Sequence, residues 1–234
     1  DLAAAKAKNI IVCNTPGVNA NAVADLAFAL LLSAARKVHI LDRRIREGKW
    51  PRSIGPELYG KTLGILGLGA IGKAVAKRAA GFSMKIIAYD PFMDVDFAKS
   101  NSIISANFNT VTREADFLSL HLPLTEETRY IISPDVMKSM KKGAIIVNTA
   151  RGGLIDEVAA YEFLVSGHLG ALGLDVYETE PPPKSPLFEL DNVVFTPHTA
   201  AHTVEATNAM ADMSVQNLID VLSGRECRFI VGLG

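Results

Sequence analysis

Hydrophobic positions along this chain fall in short unbroken runs separated by stretches with helical spacing. Leu63–Leu66, Lys85–Tyr89, Phe117–Leu122, Ala144–Asn148, Ala171–Leu174 and Val193–Thr196 have the length and apolar character of strands buried on both faces. Between them lie helical stretches over residues 73–80, 134–140 (capped by Ser133, with Pro134 in the first turn) and 156–166, and a long one from Val204 to Leu222. Strands that alternate with helices predict an α/β fold with a doubly wound parallel sheet. The segment Phe92 to Asn109 is ambiguous and is compatible with a short helix and an edge strand. Ahead of the first run the pattern predicts a helix over residues 1–8, a short strand Ile10–Cys13 and a turn at Asn14-Thr15-Pro16-Gly17. Helices over 20–37 and 38–48 and a loop from Trp50 to Gly60 follow. The helix over 20–37 is apolar on nearly every face, which predicts burial, either against its own domain or against a second subunit.

The run Leu63–Leu66 breaks at Gly67-x-Gly69-x-x-Gly72 and resumes as a helix closed by Gly81. In such a strand–turn–helix unit Gly67 gives the tight bend and Gly69 lets backbone approach a pyrophosphate. Gly72 lets helix and strand pack closely, and the helix N-terminus faces the anion. With 18 glycines in the chain the motif alone is weak. Its context makes it specific. A second apolar run ends in Asp90, eighteen residues past Gly72, where an acid accepts hydrogen bonds from an adenosine ribose diol. No Arg or Lys follows Asp90 within the turn to neutralise a 2′-phosphate, which favours NAD over NADP.

Composition narrows the reading. The chain has 234 residues, 49% of them hydrophobic, enough for a sizeable core, and a formal charge of −1, which gives no global field toward nucleic acid or an acidic membrane surface. Its longest apolar stretch, Leu26–Leu32, is too short to span a bilayer. Cys13 and Cys227 are far apart in sequence and form no metal-spaced cluster, which fits a reducing, cytoplasmic compartment and structural cysteines. No metal site is expected. The chain starts at Asp1, inside a predicted helix, and so reads as a fragment.

In a doubly wound sheet, ligands bind beyond the carboxyl ends of the strands. The residues there are Gly67–Gly72, Asp90, Leu122-Pro123, Thr149-Ala150-Arg151, Asp175 and Pro197-His198, with Glu180 in a proline-rich loop close behind. Taken alone, an Arg at a strand end is an ordinary surface ion-pair partner. Arg151, however, is followed by Gly152-Gly153, which clears space for a bidentate clamp on a carboxylate. A lone His is more often structural than catalytic, yet His198 follows a buried strand beside small residues and is sited for proton transfer, with Glu180 placed to hold its ring. His39 and His168 read as solvated, and His121 and His202 as alternative linings of the cleft.

The strings Gly60 to Gly72, Leu120-His121-Leu122-Pro123-Leu124-Thr125, Asn148-Thr149-Ala150-Arg151-Gly152-Gly153, Gly173-Leu174-Asp175-Val176-Tyr177, Thr179-Glu180-Pro181 and Thr196-Pro197-His198 resemble the signature segments of the D-2-hydroxyacid dehydrogenases, a family that includes phosphoglycerate dehydrogenases and hydroxypyruvate reductases. The resemblance covers residues 1–223 in unbroken order. It implies a Rossmann NAD-binding domain over residues 16–200. Residues 1–15 are then a remnant of a flavodoxin-like substrate domain, and residues 201–234 a C-terminal segment whose helix returns to that domain. It implies that Arg151 orients the carboxylate and carbonyl of a 2-oxo or 2-hydroxy acid, that His198 is the acid/base and that Glu180 pairs with it. It also implies that Gly67, Gly69, Ala70, Ile71, Gly72, Asp90, Thr149, Ala150, Arg151 and His198 bind NAD, that Leu122-Pro123 lines the adenine pocket and that Asp175 contacts the nicotinamide side. The helix Ala20–Arg36 belongs, by the same resemblance, to a homodimer interface. With most of the substrate domain outside the chain, the expectation is NAD binding without turnover. The rival readings are an NAD-sensing corepressor on the same fold and a truncated chain with a structural role.

Overall fold

The six strong runs and one edge strand form a single seven-stranded sheet in the computed structural model, which describes residues 1–232. The chain begins with α1 (Leu2–Ala7), α2 (Ala20–Arg36) and α3 (Val38–Arg46) and enters the sheet at β1 (Thr62–Leu66). It continues as α4 (Ala70–Gly81), β2 (Lys85–Tyr89), α5 (Val95–Ser100), β3 (Ile104–Ser105) and α6 (Phe108–Glu114). The second half runs β4 (Phe117–Leu120), α7 (Pro134–Ser139), β5 (Ala144–Asn148), α8 (Glu157–Val165), β6 (Leu169–Leu174), β7 (Val193–Phe195) and α9 (Val204–Leu222). All pairings are parallel, in the order β3-β2-β1-β4-β5-β6-β7. The strand order therefore reverses between β1 and β4, and the glycine turn lies at that switch point, where α/β sheets bind their ligands.

The alternation of side chains along each strand divides the core in two. Leu63, Ile65, Ile86, Ala88, Phe117, Ile145 and Val147 face one side with the buried residues of α2 and α4. Leu66, Ile87, Leu118, Leu120, Ile146 and Leu172 face the other with Val111 of α6, Met137 of α7 and Leu164 of α8. One face of α2 is covered within the chain itself. Its Ala24, Ala27, Leu30 and Leu31 are buried within their own chain, and Leu30 lies so close to β6 that a Cβ at Gly173 would sit 3.1 Å from it.

Three expectations change. Residues 10–13 form no strand, because their ladder pairing is limited to one isolated antiparallel bridge, Cys13 with Ile230. The ambiguous segment holds α5 and β3 as anticipated. It is followed by α6, whose start the side chain of Asn107 caps by accepting from the Thr110 N–H at 2.9 Å. His39 and His168 are hydrogen-bonded rather than merely solvated: a ring nitrogen of His39 lies 3.1 Å from the Asp191 carbonyl, and one of His168 lies 2.9 Å from the Met137 carbonyl.

The chain divides into two compact units, one of residues 23–200 and one of residues 1–22 with 201–232. The second contains α1, α9 and the paired segments around Cys13 and Ile230, and the Sγ atoms of Cys13 and Cys227 lie 3.7 Å apart there as free thiols. In this unit α9 leaves Val204, Val215, Leu218 and Leu222 exposed. The end of the predicted C-terminal segment, residues 233–234, lies outside the described residues. Among the described residues no helix is long and apolar enough to cross a membrane.

Candidate active site

The glycine turn is built as its spacing requires. Gly67 has φ +95°, and a Cβ there would meet the His121 carbonyl at 2.6 Å. At Gly72 a Cβ would lie 2.1 Å from the Gly67 oxygen, so this position is glycine because helix and turn touch. Gly69 differs from both: its φ is −71° and nothing lies within 4 Å of its would-be Cβ. It caps α4 with no side-chain hydrogen bond, leaving the first-turn N–H groups beside open space. Ala70 and Ile71 follow on the same rim, exposed and half-buried.

Asp90, at the end of β2, braces this turn. Its Oδ2 accepts from the Leu68 N–H at 2.6 Å and its Oδ1 from the Phe92 N–H at 2.7 Å. Each oxygen keeps a further lone pair for a diol. After β4, Leu122 packs into the core and Pro123 presents surface. Two orphaned polar atoms close this edge of the sheet. Thr149 Oγ1 and His121 Nδ1 are buried without a partner, although His121 Nε2 and Ser119 Oγ are 2.8 Å apart. Burial pushes the His121 ring down to about 3 and keeps it neutral. Ala150, between Thr149 and Arg151, is buried and its N–H donates to Asn148 Oδ1 at 3.0 Å.

On the far side of the switch point the structure brings Arg151, Glu180 and His198 together. His198 Nδ1 and Glu180 Oε2 are 2.6 Å apart, and the second carboxylate oxygen accepts from the Tyr177 N–H at 3.1 Å. Burial alone pushes the Glu180 carboxyl up. The His198 hydrogen bond, the Tyr177 N–H and the charges of His198 and Arg151 outweigh it and set the group below the usual carboxylate range. Because the ionised carboxylate only accepts, the His198 proton shared with it sits on Nδ1 and leaves Nε2 for the cleft. Arg151 is exposed and makes no ion pair among the described residues; its Nη1 donates to the Ala150 carbonyl at 2.6 Å. Gly152 is required beside it, since a Cβ would fall 1.9 Å from the Tyr177 oxygen.

Asp175 has a place that spacing did not reveal. It is fully buried, and its carboxylate accepts from the Thr196 hydroxyl at 2.6 Å and from the Thr199 and Ala200 N–H groups at 2.8 and 3.0 Å. The carboxylate holds the loop of His198. Sequence reasoning also missed Arg129, Tyr130 and Glu178, which meet between the loops that follow β4 and β6. Nothing in their spacing marks them. His202, the other candidate lining, is exposed. Among the described residues no cluster of His, Cys, Asp or Glu is arranged to hold a metal ion.

A family model described as D-isomer specific 2-hydroxyacid dehydrogenase, NAD binding domain, matches residues 28–200. The chain belongs to this family. It is 46% identical to a glyoxylate reductase of Korarchaeum cryptofilum over 94% of this chain and 68% of that protein. It is 45% identical to a D-3-phosphoglycerate dehydrogenase of Methanocaldococcus jannaschii over 100% of this chain and 45% of that protein, so it spans less than half the length of that relative. Among solved structures, D-lactate dehydrogenase with NAD+ from Lactobacillus jensenii superposes with a TM-score of 0.89 at 30% identity, over 99% of this chain and 74% of that one. The cofactor of this dehydrogenase-family domain is NAD. The residues present fit it, with a side-chain-free cradle at Gly69, an uncapped helix start at α4, a bracing acid at Asp90 and an unpartnered hydroxyl at Thr149.

Proposed function

We propose that this chain is the nicotinamide-binding half of an enzyme that interconverts D-2-hydroxy acids and 2-oxo acids. The observation that carries the reading is the His198–Glu180 pair, 2.6 Å apart, standing next to the unpaired guanidinium of Arg151 at the carboxyl edge of the sheet. NAD, when bound, supplies or accepts the hydride. Gly69, Ala70, Ile71 and the first turn of α4 hold its pyrophosphate, Asp90 its adenosine ribose, and Pro123 and Thr149 line its cleft. Arg151 clamps the acid's carboxylate and steadies charge on the reacting oxygen. His198 gives a proton from Nε2 to that oxygen in reduction and takes it back in oxidation, while Glu180 keeps the ring oriented. Asp175 accepts from the backbone N–H groups of His198 and of the two residues after it, and His198 sits at φ +50°, a left-handed conformation unusual for a residue with a side chain.

Residues 1–15 and 201–234 belong, in this reading, to the substrate-domain side of the protein, and the 234-residue chain by itself binds NAD but turns over acids negligibly. The exposure of Arg151 and of half the His198 side chain supports this, because both groups stand open to water on the side where a substrate must be enclosed. The protein is a cytoplasmic homodimer that joins through the α2 region. Trp50 and Ile54, 81% and 96% exposed just after α3, support such an interface. The test is NADH oxidation with glyoxylate and hydroxypyruvate as probe acids, in the protein as the cell makes it and in its His198→Ala variant. Turnover that His198→Ala removes is expected. Undiminished turnover in the variant overturns the assignment.

A further inference from the structure

Glu178 lies two residues before Glu180 and is exposed, and its carboxylate ties its own loop to the loop after β4. Its Oε1 takes the Tyr130 hydroxyl at 2.7 Å and the Arg129 guanidinium, which also covers the Tyr130 ring with its carbon 4.6 Å from the centroid. Tyr130 then reaches the next loop, its N–H donating to the Gly153 carbonyl at 2.7 Å, and it does so at φ +51°. Arg129 lies along the same backbone, with Nη1 3.6 Å from where a Gly153 Cβ would be. The ring closes at Gly152, which packs directly on the Tyr177 carbonyl and the Glu178 N–H. The loop after β4 is thus tied to the loop that begins at Arg151, and that loop is pressed onto the one that carries Glu180.

We infer that Glu178 is a positioning residue for the reaction: with Arg129 and Tyr130 it latches the loop after β4 across the two loops that present Arg151 and Glu180, and so fixes the carboxylate clamp relative to the acid/base pair. This rests on the function proposed above. The groups facing Glu178 are Arg129 and Tyr130, and Glu157 also lies close enough for its carboxyl to be raised, by burial first and then by the charge of Glu178. An exposed ion pair of this kind contributes little to global stability. Its effect is local, on the relative placement of two loops, and small misplacements of reacting groups are costly in rate.

Two measurements decide it. In the 234-residue chain, Glu178→Ala is expected to speed amide exchange at Tyr130 and Tyr177 by about tenfold or more, with β4 and β5 amides unchanged and NADH affinity within about twofold. In the protein as the cell makes it, the same variant is expected to raise KM for the probe acids and lower kcat together, for a loss of about tenfold in kcat/KM. Glu178→Gln, whose amide oxygen still accepts from Tyr130 and Arg129, is expected to recover most of both effects. Unchanged exchange at Tyr130 and Tyr177 overturns the latch whatever the activity. A loss of NADH affinity and melting temperature in step with KM, or a glutamine variant as impaired as alanine, overturns the positioning role. Failure of the proposed reaction shows separately, as turnover that survives His198→Ala.

Discussion

The main chain of His198 hangs from Asp175: the His198 N–H donates to the Asp175 carbonyl at 2.7 Å while the Asp175 carboxylate takes the N–H groups of the next two residues. A left-handed residue with a side chain is costly by about 1–3 kcal/mol and persists only where its surroundings over-determine it. Asp175 is that over-determination, and the strain falls on the residue proposed to move the proton.

Asp175→Ala leaves two N–H groups and the Thr196 hydroxyl without their acceptor. The expected loss is about 2–4 kcal/mol in urea unfolding, from hydrogen bonds to a charged group inside the protein. Turnover of the probe acids should fall at least about tenfold. A stability within about 0.5 kcal/mol of the parent contradicts the account.

Gly69 and Gly72 separate cofactor from packing. At Gly72 an added Cβ meets backbone at 2.1 Å, so Gly72→Ala should destabilise by about 2 kcal/mol or more. Gly69→Ala meets nothing and has an acceptable φ, so melting should be unchanged while NADH binding weakens about tenfold. Thermal melts and fluorescence titration read both. Equal effects of the two variants would remove the distinction.

His198→Ala should abolish turnover with little change in NADH affinity, since it takes away the proton donor. Arg151→Ala should raise KM and lower kcat together, because it acts on the acid both before and during reaction. Steady-state kinetics on both variants, with NADH titrations alongside, checks the split.

Much of this site could be read from sequence because its signals are local. Strand ends fix where ligands go, and the glycines, Asp90, Arg151, Glu180 and His198 each follow a strand or its loop directly. What stayed hidden depends on distance in three dimensions. That Asp175 anchors the His198 loop shows only once the Thr199 and Ala200 N–H groups fold back onto it. The Arg129–Tyr130–Glu178 junction joins residues nearly fifty positions apart. The helix α6 was missed because its two turns carry one clear cap, Asn107, and few apolar positions.

Acid should weaken the fold through His121. Its ring titrates at about 3 in the folded chain against 6.5 when solvated. Between those values the unfolded state binds the extra proton, so stability rises with pH there and is lost as pH falls below 6.5. The expected contribution is about 2 kcal/mol lost between roughly pH 7 and pH 4.5. Glu180, lowered when folded, adds its loss only at more acidic pH, as the medium falls toward its depressed value. Urea titrations across this range on the parent and His121→Gln test it, and the variant should lack the upper part of the slope.

Calorimetric titration of the 234-residue chain with NADH and with NADPH reads the cofactor site itself. Saturable binding of one NADH per chain is predicted, with NADPH at least about tenfold weaker because Asp90 meets its 2′-phosphate. An absence of saturable NADH binding, or NADPH binding as tightly, would contradict the placement of the cofactor at the Gly67–Gly72 turn and Asp90.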